Sequence, residues 1–438
     1  MLCIRWIDND LCAHEEFIDL HELALTNADT IVMVIKDILL RMNISLNKCC
    51  SQCYDGCSTM KGKKSGVAKQ IKEIEWRAMF THCYTHSLNL AVADSIKNSR
   101  IMRDALDTTL EITKLIKKSP KRDSKLDEIK SEAKVISDEY VGDVETITLL
   151  CPTRWTVRAK SLNSVMSNYT YLIELWEWAA KNCSDSEMKA RIRAVDVHMK
   201  TFEFVFGVCL GELILSHSDN LSKTLQTPNL SAVQGQDCAR MTVKVLEMLR
   251  SQENFDLFWD NVLSKSKPLN VDDPKLPRQR GAPKRLEDFH GYGPAKPTTY
   301  ETPKDIYRKH YFEALDHVVN CIKERFDQED YQRYATLQEL LLNAARKQPY
   351  DAQFNEVIKF YKDDFDALLL KSQLKIFKED VPEITEVNMS DIVDHLRSMH
   401  VGKRALLSEV FRLARPRMLQ VNDHSVHFVV FNRTYKAL

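Results

Sequence analysis

Seven of the chain's 13 prolines fall between Pro268 and Pro303, and this cluster constrains the fold more than any other feature of the sequence. Proline lacks a backbone N–H and fixes φ, so the segment cannot form a regular helix or a central strand. It separates two long stretches of helical periodicity, residues 161–265 and 306–374, and the periodicity returns over 389–415. The cluster therefore divides a largely helical body into two parts.

The first hundred residues have a different pattern, in which strand and helix signals alternate. The expected strands are residues 2–7, 48–56 and 79–83, and the expected helices are 31–42, 66–74 and 86–116. This order is typical of an α/β fold. The sequence thus predicts an α/β domain joined to an all-α body. The expected segments are 1–158, 159–267, 268–304, 305–420 and 421–438. In the last segment apolar and polar residues alternate only weakly, which fits either a strand or a frayed tail.

Charge and composition limit the possible partners and the compartment. The 62 Lys and Arg residues balance 62 Asp and Glu residues, so any nucleic-acid binding must come from a local basic surface. Charges at Arg5, Asp8 and Asp10 interrupt the start of the chain where a signal peptide would be apolar, and we expect an intracellular protein. Its 12 cysteines are then expected to be reduced thiols. The most apolar stretch, 202–215, is too short to span a bilayer, so no membrane partner is expected.

Three short motifs carry possible chemistry. In the first, Asp55 precedes Gly56 at the end of an expected strand, which could bring a carboxylate to a metal or phosphate at the end of a sheet. An Asp-Gly turn is the alternative.

The second motif contains Cys83 and His86 at C-x-x-H spacing. One interpretation is a zinc site, although the nearby cysteines fit no usual zinc finger. The other interpretation is that His86 begins a helix and points into a site.

The third motif, Thr153-Arg154-Trp155, places a guanidinium beside an indole. Together these groups can hold a phosphate and an unstacked base. A buried Trp155 with Arg154 in a salt bridge is an equally open alternative. The Pro-rich segment adds a basic run that includes Lys284 and Arg285.

The segments CYDGCSTMKGKKSG, HCYTHSLNLAVADS and CPTRW, in this order, resemble the transposase-derived domain of hAT-family elements. The resemblance is closest to the zinc finger MYM-type protein 1-like group and extends over nearly the whole chain. It implies an incomplete ribonuclease H-like α/β core that is interrupted by a large helical insertion. It also implies that relatives transfer phosphoryl groups with two divalent metals held by three carboxylates.

Residue by residue, the resemblance makes Asp55 the second catalytic carboxylate and metal ligand. It makes Cys83 and His86 the C-x-x-H element beside the active site, and it makes Arg154 and Trp155 the pair that engages a flipped base. The first catalytic Asp of relatives lies on a strand upstream of Leu2–Ile7, and the last carboxylate has no counterpart in residues 421–438. We therefore expect a chain truncated at both ends, with an unoccupied metal site, and no cofactor. We also expect an exposed sheet edge beside Leu2–Ile7.

Three functions remain open on this basis. The first is a catalytically inactive, transposase-derived protein that interacts with protein or DNA. The second is an active transposase or nuclease, requiring Mg²⁺ or Mn²⁺, that recruits substitute carboxylates such as Asp8 or Asp94. The third is a structural zinc module. If the first function is correct, we expect weak, non-specific DNA binding through Arg154, Trp155 and the basic run. We also expect protein partners or a homo-oligomer. The resemblance implies a nuclear location, and a cytoplasmic location is the alternative.

Overall fold

The computed structural model describes residues 2–54, 56–82, 84–136, 146–150, 158–227, 232–276, 300–326, 329–382, 387–414 and 427–431. Within these ranges the chain is mostly helical, with a few strands. The strands are β1 Leu2–Ile7, β2 Ala13–Asp19, β3 Cys49–Tyr54, β4 Met79–His82 and β5 His427–Phe431. The helices are α1 Ala28–Arg41, α2 Ser58–Lys61, α3 Val67–Ile74, α4 Tyr84–Asn98, α5 Arg100–Lys117, α6 Pro120–Ile136, α7 Arg158–Ser167, α8 Tyr169–Asn182, α9 Ser186–Met199, α10 Phe202–Leu225, α11 Ala232–Leu249, α12 Gln252–Ser266, α13 Pro303–Phe326, α14 Glu329–Ala345, α15 Asp351–Phe360, α16 Ala367–Asp380, α17 Met389–Ser398, α18 Val401–Leu406 and α19 Ser408–Ala414.

The strands form one mixed sheet in the order β2-β1-β5-β3-β4. β1 pairs antiparallel with β2 and parallel with β5, while β5 pairs antiparallel with β3. β3 and β4 are parallel, with Tyr54 opposite His82. Strands β3 and β4 therefore end at one end of the sheet, and β1 ends at the opposite end.

The expectation of an exposed edge at Leu2–Ile7 is wrong. β1 has a paired strand on each side, β2 and β5, because the tail contributes a strand to the middle of the sheet. The sequence analysis did not predict β2, whose residues AHEEFID lack a clear apolar alternation. The expected helix over 86–116 is two helices, since Ser99 adopts an extended conformation and begins α5.

Helices α1 and α3 cover one apolar face of the sheet. The side chain of Asn27 accepts a hydrogen bond from Thr30 N (2.9 Å) and caps α1, which is the usual way to satisfy a free N–H at a helix start. Apolar residues at helical spacing then point to the sheet. The buried cluster they form with the strands contains Leu2, Ile4, Val32, Ile35, Ile38, Leu39, Cys49, Tyr54, Met60, Val67, Ala68, Ile71 and Ala78. This cluster fixes the positions of β1 and β3.

The described chain divides into two compact units. The sheet unit comprises residues 1–90, 224–240 and 324–438, and the helical unit comprises 91–223 and 241–323. Helices α4, α10, α11 and α13 contribute residues to both. Each unit thus draws on several of the expected sequence segments.

Aromatic rings dominate the core of the helical unit. Phe206 lies 4.7 Å from Tyr307 and 6.3 Å from Trp259, between ring centroids. In the same unit α12 ends at Ser266, just before the Pro-rich segment, and α13 begins at Pro303. No helix in the described ranges is long and apolar enough to cross a membrane.

Candidate functional site at the ends of β3 and β4

The candidate site lies where the two parallel strands of the sheet unit end. Tyr54 and His82 are the last residues of β3 and β4 and face each other in register. Asp55 and Cys83 follow them directly and lie outside the described residues. The carboxyl ends of adjacent parallel strands form the usual ligand site of an open α/β sheet, and the strands that lead into the first two sequence motifs end side by side here.

The imidazole of His82 packs directly on the backbone that follows β3. His82 is 3% exposed, and a Cβ added at Gly56 would lie 2.4 Å from its Cε1 and 2.6 Å from Leu90 Cδ1. Only glycine permits this approach. The His82 ring centroid is 5.6 Å from that of His86, on the first turn of α4. The two histidines therefore line the same end of the sheet.

Two buried phenols complete the described surroundings. Burial raises the pKa of Tyr54 well above its usual value, and Tyr54 is 1% exposed. Burial also raises the pKa of Tyr84, whose ring stacks on Phe326 at 5.4 Å. Both phenols stay neutral at physiological pH, because burial disfavours the phenolate. Neither phenol is therefore a candidate base at this end of the sheet.

A buried amide holds β3 in place beneath the site. Gln52 Nε2 donates hydrogen bonds to Ala68 O on α3 (3.0 Å) and to Ala78 O at the entry to β4 (2.9 Å). Gln52 is fully buried, so these bonds join three elements without competition from water. The sequence analysis missed Gln52, although a lone amide within the apolar run of β3 was a signal for it.

An acidic residue from α14 fixes the outer side of β4. Asp330 Oδ2 accepts hydrogen bonds from Phe80 N (2.9 Å) and Lys72 Nζ (2.5 Å). Its other oxygen accepts one from Arg333 Nη1 (3.2 Å). The carboxylate thus satisfies a strand N–H that would otherwise lack a ladder partner.

Most of the expected site residues cannot be placed. Asp55, Cys83, Arg154, Trp155, Lys284 and Arg285 all lie outside the described residues. His86 is described, and it lies beside His82 at the end of the sheet. Across the described ranges, no group of three or more His, Cys, Asp or Glu side chains is arranged to hold a metal ion.

The two substitute carboxylates that an active enzyme would need lie elsewhere. Asp8 follows β1, at the end of the sheet opposite to the end of β3. It accepts hydrogen bonds from Cys12 N (2.8 Å) and His14 Nε2 (2.9 Å). Burial raises the pKa of Asp8, but these hydrogen bonds outweigh that effect and hold it below the usual value. Asp8 therefore serves the β1–β2 turn.

Asp94 is on the same helix as His86, eight residues further along. At 1.5 Å rise per residue the separation along the axis is about 12 Å, too far for the two to share a metal. Lys97 Nζ lies 3.9 Å from the Asp94 carboxylate. Asp94 thus forms an ordinary surface pair on α4.

The helical unit contains a separate buried acid beside Arg158. Asp219 Oδ2 accepts a hydrogen bond from Ala159 N (3.4 Å) at the start of α7. Burial raises the pKa of Asp219 to about 6, and the positive charge of Arg158 opposes the rise. This pair anchors the helix that follows the Arg154-Trp155 motif.

Comparison with known proteins supports the motif-based interpretation. The family described as "ZMYM1/FAM200, RNase-like domain" matches residues 1–66. The human zinc finger BED domain-containing protein 4 is 25% identical over 126 residues, which is 26% of this chain and 10% of that protein. The chain thus aligns with about a tenth of this curated relative. No solved structure matches the chain. The two matches confirm that this chain resembles hAT-derived proteins of the ZMYM1/FAM200-like type.

Proposed function

We propose that this chain is a catalytically inactive, transposase-derived protein that retains the capacity to interact with nucleic acid or protein. In this proposal it has a ribonuclease H-like core with a helical insertion, and it works in the nucleus. The observation that carries the proposal is the position of the two candidate substitute carboxylates. Asp8 follows β1 at the end of the sheet opposite to Tyr54 and His82, and Asp94 lies about two turns of helix beyond His86.

Two-metal phosphoryl transfer depends on carboxylates. Mg²⁺ and Mn²⁺ prefer oxygen ligands, and the two ions must sit roughly 4 Å apart between shared carboxylates. Asp55 is the one residue that the resemblance assigns to this role. Asp8 lies at the other end of the sheet and Asp94 two turns of helix from His86, so neither can join it without a rearrangement of the sheet unit.

The catalytic part of the proposal is tested with purified protein and supercoiled DNA in Mg²⁺ or Mn²⁺. We expect no nicking or strand joining above background, and the same result for Asp55→Ala. An active DNA transposase or nuclease is the second candidate, since Asp55 directly follows a strand end where a metal can approach. Metal-dependent nicking that Asp55→Ala abolishes would establish this second candidate and refute the first.

The nucleic-acid part rests on charge and aromatic chemistry. Arg154, Trp155, Lys284 and Arg285 supply cations and a π-face, and the neutral chain lacks a general attraction for DNA. We expect sequence-independent binding in the micromolar range that weakens steeply with salt.

This part is tested by measuring DNA affinity against salt concentration. The variant Lys284→Ala/Arg285→Ala is expected to reduce the salt slope by up to about two. Lys275→Ala is the matched control, because Lys275 lies in the same segment but pairs with Asp272 (3.2 Å). If the double variant has the salt slope of the wild type, or if Trp155→Ala unfolds the protein without a separable loss of binding, the DNA interface is wrongly assigned.

A further inference from the structure

The two edges of the sheet differ. At β4 the carboxylate of Asp330 accepts the N–H of Phe80, and α14 covers this edge. At the other edge lies β2, which pairs with β1 on one side, and no described strand pairs with its outer side. Glu15, Glu16 and Phe17 on this strand are exposed, and an edge strand of seven residues presents backbone groups that can pair with another extended chain.

The side chains of β2 select against a second copy of this chain. Glu15 and Glu16 are exposed, and Asp19 ends the strand. Arg5 stands opposite Glu15 in the register with β1, so Glu16 and Asp19 contribute most of the unbalanced negative charge. If two copies paired through β2, acids would face acids across the new ladder, which destabilises a sheet. The same acids attract a strand that carries Lys or Arg.

An apolar cavity of about 120 Å³ opens at the end of β2. Its lining comes from β1, from the residues after β2, from the inner side of α1 and from Met60. An apolar protein cavity of about 150 Å³ is known to take up benzene, so this one has room for a side chain of aliphatic or aromatic size. Asp19 and His21 belong to its lining, and their side chains approach to 3.9 Å.

Large apolar side chains are exposed on β2 and in the residues that follow it. Phe17 on β2 is 60% exposed, Leu20 is 74% exposed and Leu25 is 62% exposed. Large apolar groups that are clustered and exposed mark sites where a partner binds. We call the outer edge of β2, its acidic side chains and the cavity at its end the β2 groove.

We propose that the β2 groove binds an extended peptide that adds a strand to the sheet, carries Lys or Arg beside Glu16, and inserts one large apolar side chain into the cavity. In this mode the backbone ladder supplies affinity and the alternate side chains supply specificity. The groove lies on β2 and α1 at the same end of the sheet as the ends of β3 and β4, but β1 and β5 separate β2 from β3, and the proposed contacts use no residue assigned above to catalysis or to DNA. The proposal therefore does not depend on whether the protein binds DNA or is catalytically inactive.

The first experiment uses the full chain and a fluorescein-labelled nonapeptide that alternates Lys and Val and has one Leu near its end. We expect saturable binding by fluorescence anisotropy and slower hydrogen exchange in a peptic peptide that covers 13–19. A peptide N-methylated at alternate residues cannot complete the ladder and is expected to lose binding. The proposal is overturned if the N-methylated peptide binds as tightly as the parent.

The second experiment changes the protein at exposed positions that are not needed for folding. Glu16→Lys is expected to weaken binding of the Lys/Val nonapeptide about tenfold, because an opposite-charge cross-strand pair becomes a like-charge pair. Glu73→Lys is the matched control, an exposed acid on α3 in the same unit, and it is expected to change affinity less than twofold. If Glu16→Lys and Glu73→Lys weaken binding equally, the peptide is held only by general charge attraction, and the proposal that it binds in the β2 groove is refuted.

The third experiment tests the cavity and the competing occupant. Val34→Trp fills the cavity from α1 and is expected to weaken binding while the melting temperature shows that the chain is folded. If Val34→Trp unfolds the protein, a Leu→Ala nonapeptide tests the same contact, and unchanged affinity for it counts against the proposal. Light scattering then measures whether the chain is a monomer or a dimer. If it is a dimer in which residues 13–19 are protected from exchange and the peptide does not bind, the groove is occupied by a second copy and the peptide proposal is overturned.

Discussion

Gln52 offers the sharpest test of the structure beneath the candidate site. Replacement by leucine keeps the size of the side chain and removes its two hydrogen bonds to Ala68 O and Ala78 O. Both carbonyls are then left in an apolar interior with one donor fewer. A lost donor to a buried acceptor costs about 1 to 3 kcal/mol, and Ala68 O keeps its helical partner in α3. We therefore expect a total cost of about 2 to 3 kcal/mol.

The chain offers a matched control for this substitution. Gln70 Nε2 also donates two hydrogen bonds, to Asp29 Oδ1 (2.6 Å) and Ser65 O (3.0 Å), but Gln70 is half-buried and these bonds are exposed to solvent. Water replaces the amide in Gln70→Leu, so that variant is expected to cost less than about 0.5 kcal/mol. The two variants remove the same number of bonds and differ in burial.

Hydrogen exchange is the appropriate assay, because a chain with two compact units need not unfold in one step. A loss of about 2 to 3 kcal/mol corresponds to exchange about 30 to 150 times faster for amides of Cys49–Tyr54. Gln70→Leu is expected to change the same rates less than about threefold. If the two variants accelerate exchange equally, burial does not govern the strength of these bonds, and the account of β3 is refuted.

Three further perturbations follow from contacts described above. Gly56→Ala forces a methyl group against His82, and we expect a loss of about 1 to 3 kcal/mol in unfolding free energy by thermal melting, with a smaller effect if His82→Ala is present as well. Asp219 has a folded-state pKa of about 6, above its unfolded value, so its contribution is fully present below about pH 4 and is lost as pH rises through 6. Asp219→Asn should flatten the stability of the helical unit between pH 4 and 7, and an unchanged pH profile would contradict the assignment. Asp330→Ala leaves Phe80 N without its acceptor and should cost about 1 to 3 kcal/mol, seen as faster exchange at β4 but not at β2.

The strands and helices that bury one apolar face were predictable from the sequence. The expected strands at 48–56 and 79–83 correspond to β3 and β4, and the expected helices at 31–42 and 66–74 correspond to α1 and α3, each within a few residues. Strand β2 was missed because its exposed acids and its open edge remove the apolar alternation that indicates a strand. Its stability comes from pairing with β1, which is a tertiary effect.

At the candidate site, too, one feature was predictable from the sequence and another was not. The motif that contains His86 was visible from residue spacing, and the structure brings this histidine to His82. The need for glycine at position 56 was not visible, because it depends on how close the His82 ring approaches from another strand. Spacing along a chain shows which chemistry is present, whereas distances across a sheet depend on pairing that no local pattern encodes.

The position of β5 in the sheet has a consequence for protein synthesis. Strand β5 separates β1 from β3, so the β1–β2 pair and the β3–β4 pair cannot join into one sheet until His427–Phe431 has been translated. About 400 residues separate β2 from β5, and at roughly 5 to 20 residues per second the ribosome needs about 20 to 80 s to make them. During that time β1 and β3 of the nascent chain each have one open edge and carry apolar side chains. Completion of the sheet must therefore wait for His427–Phe431, and we expect the nascent chain to depend until then on chaperones that shield β-strands.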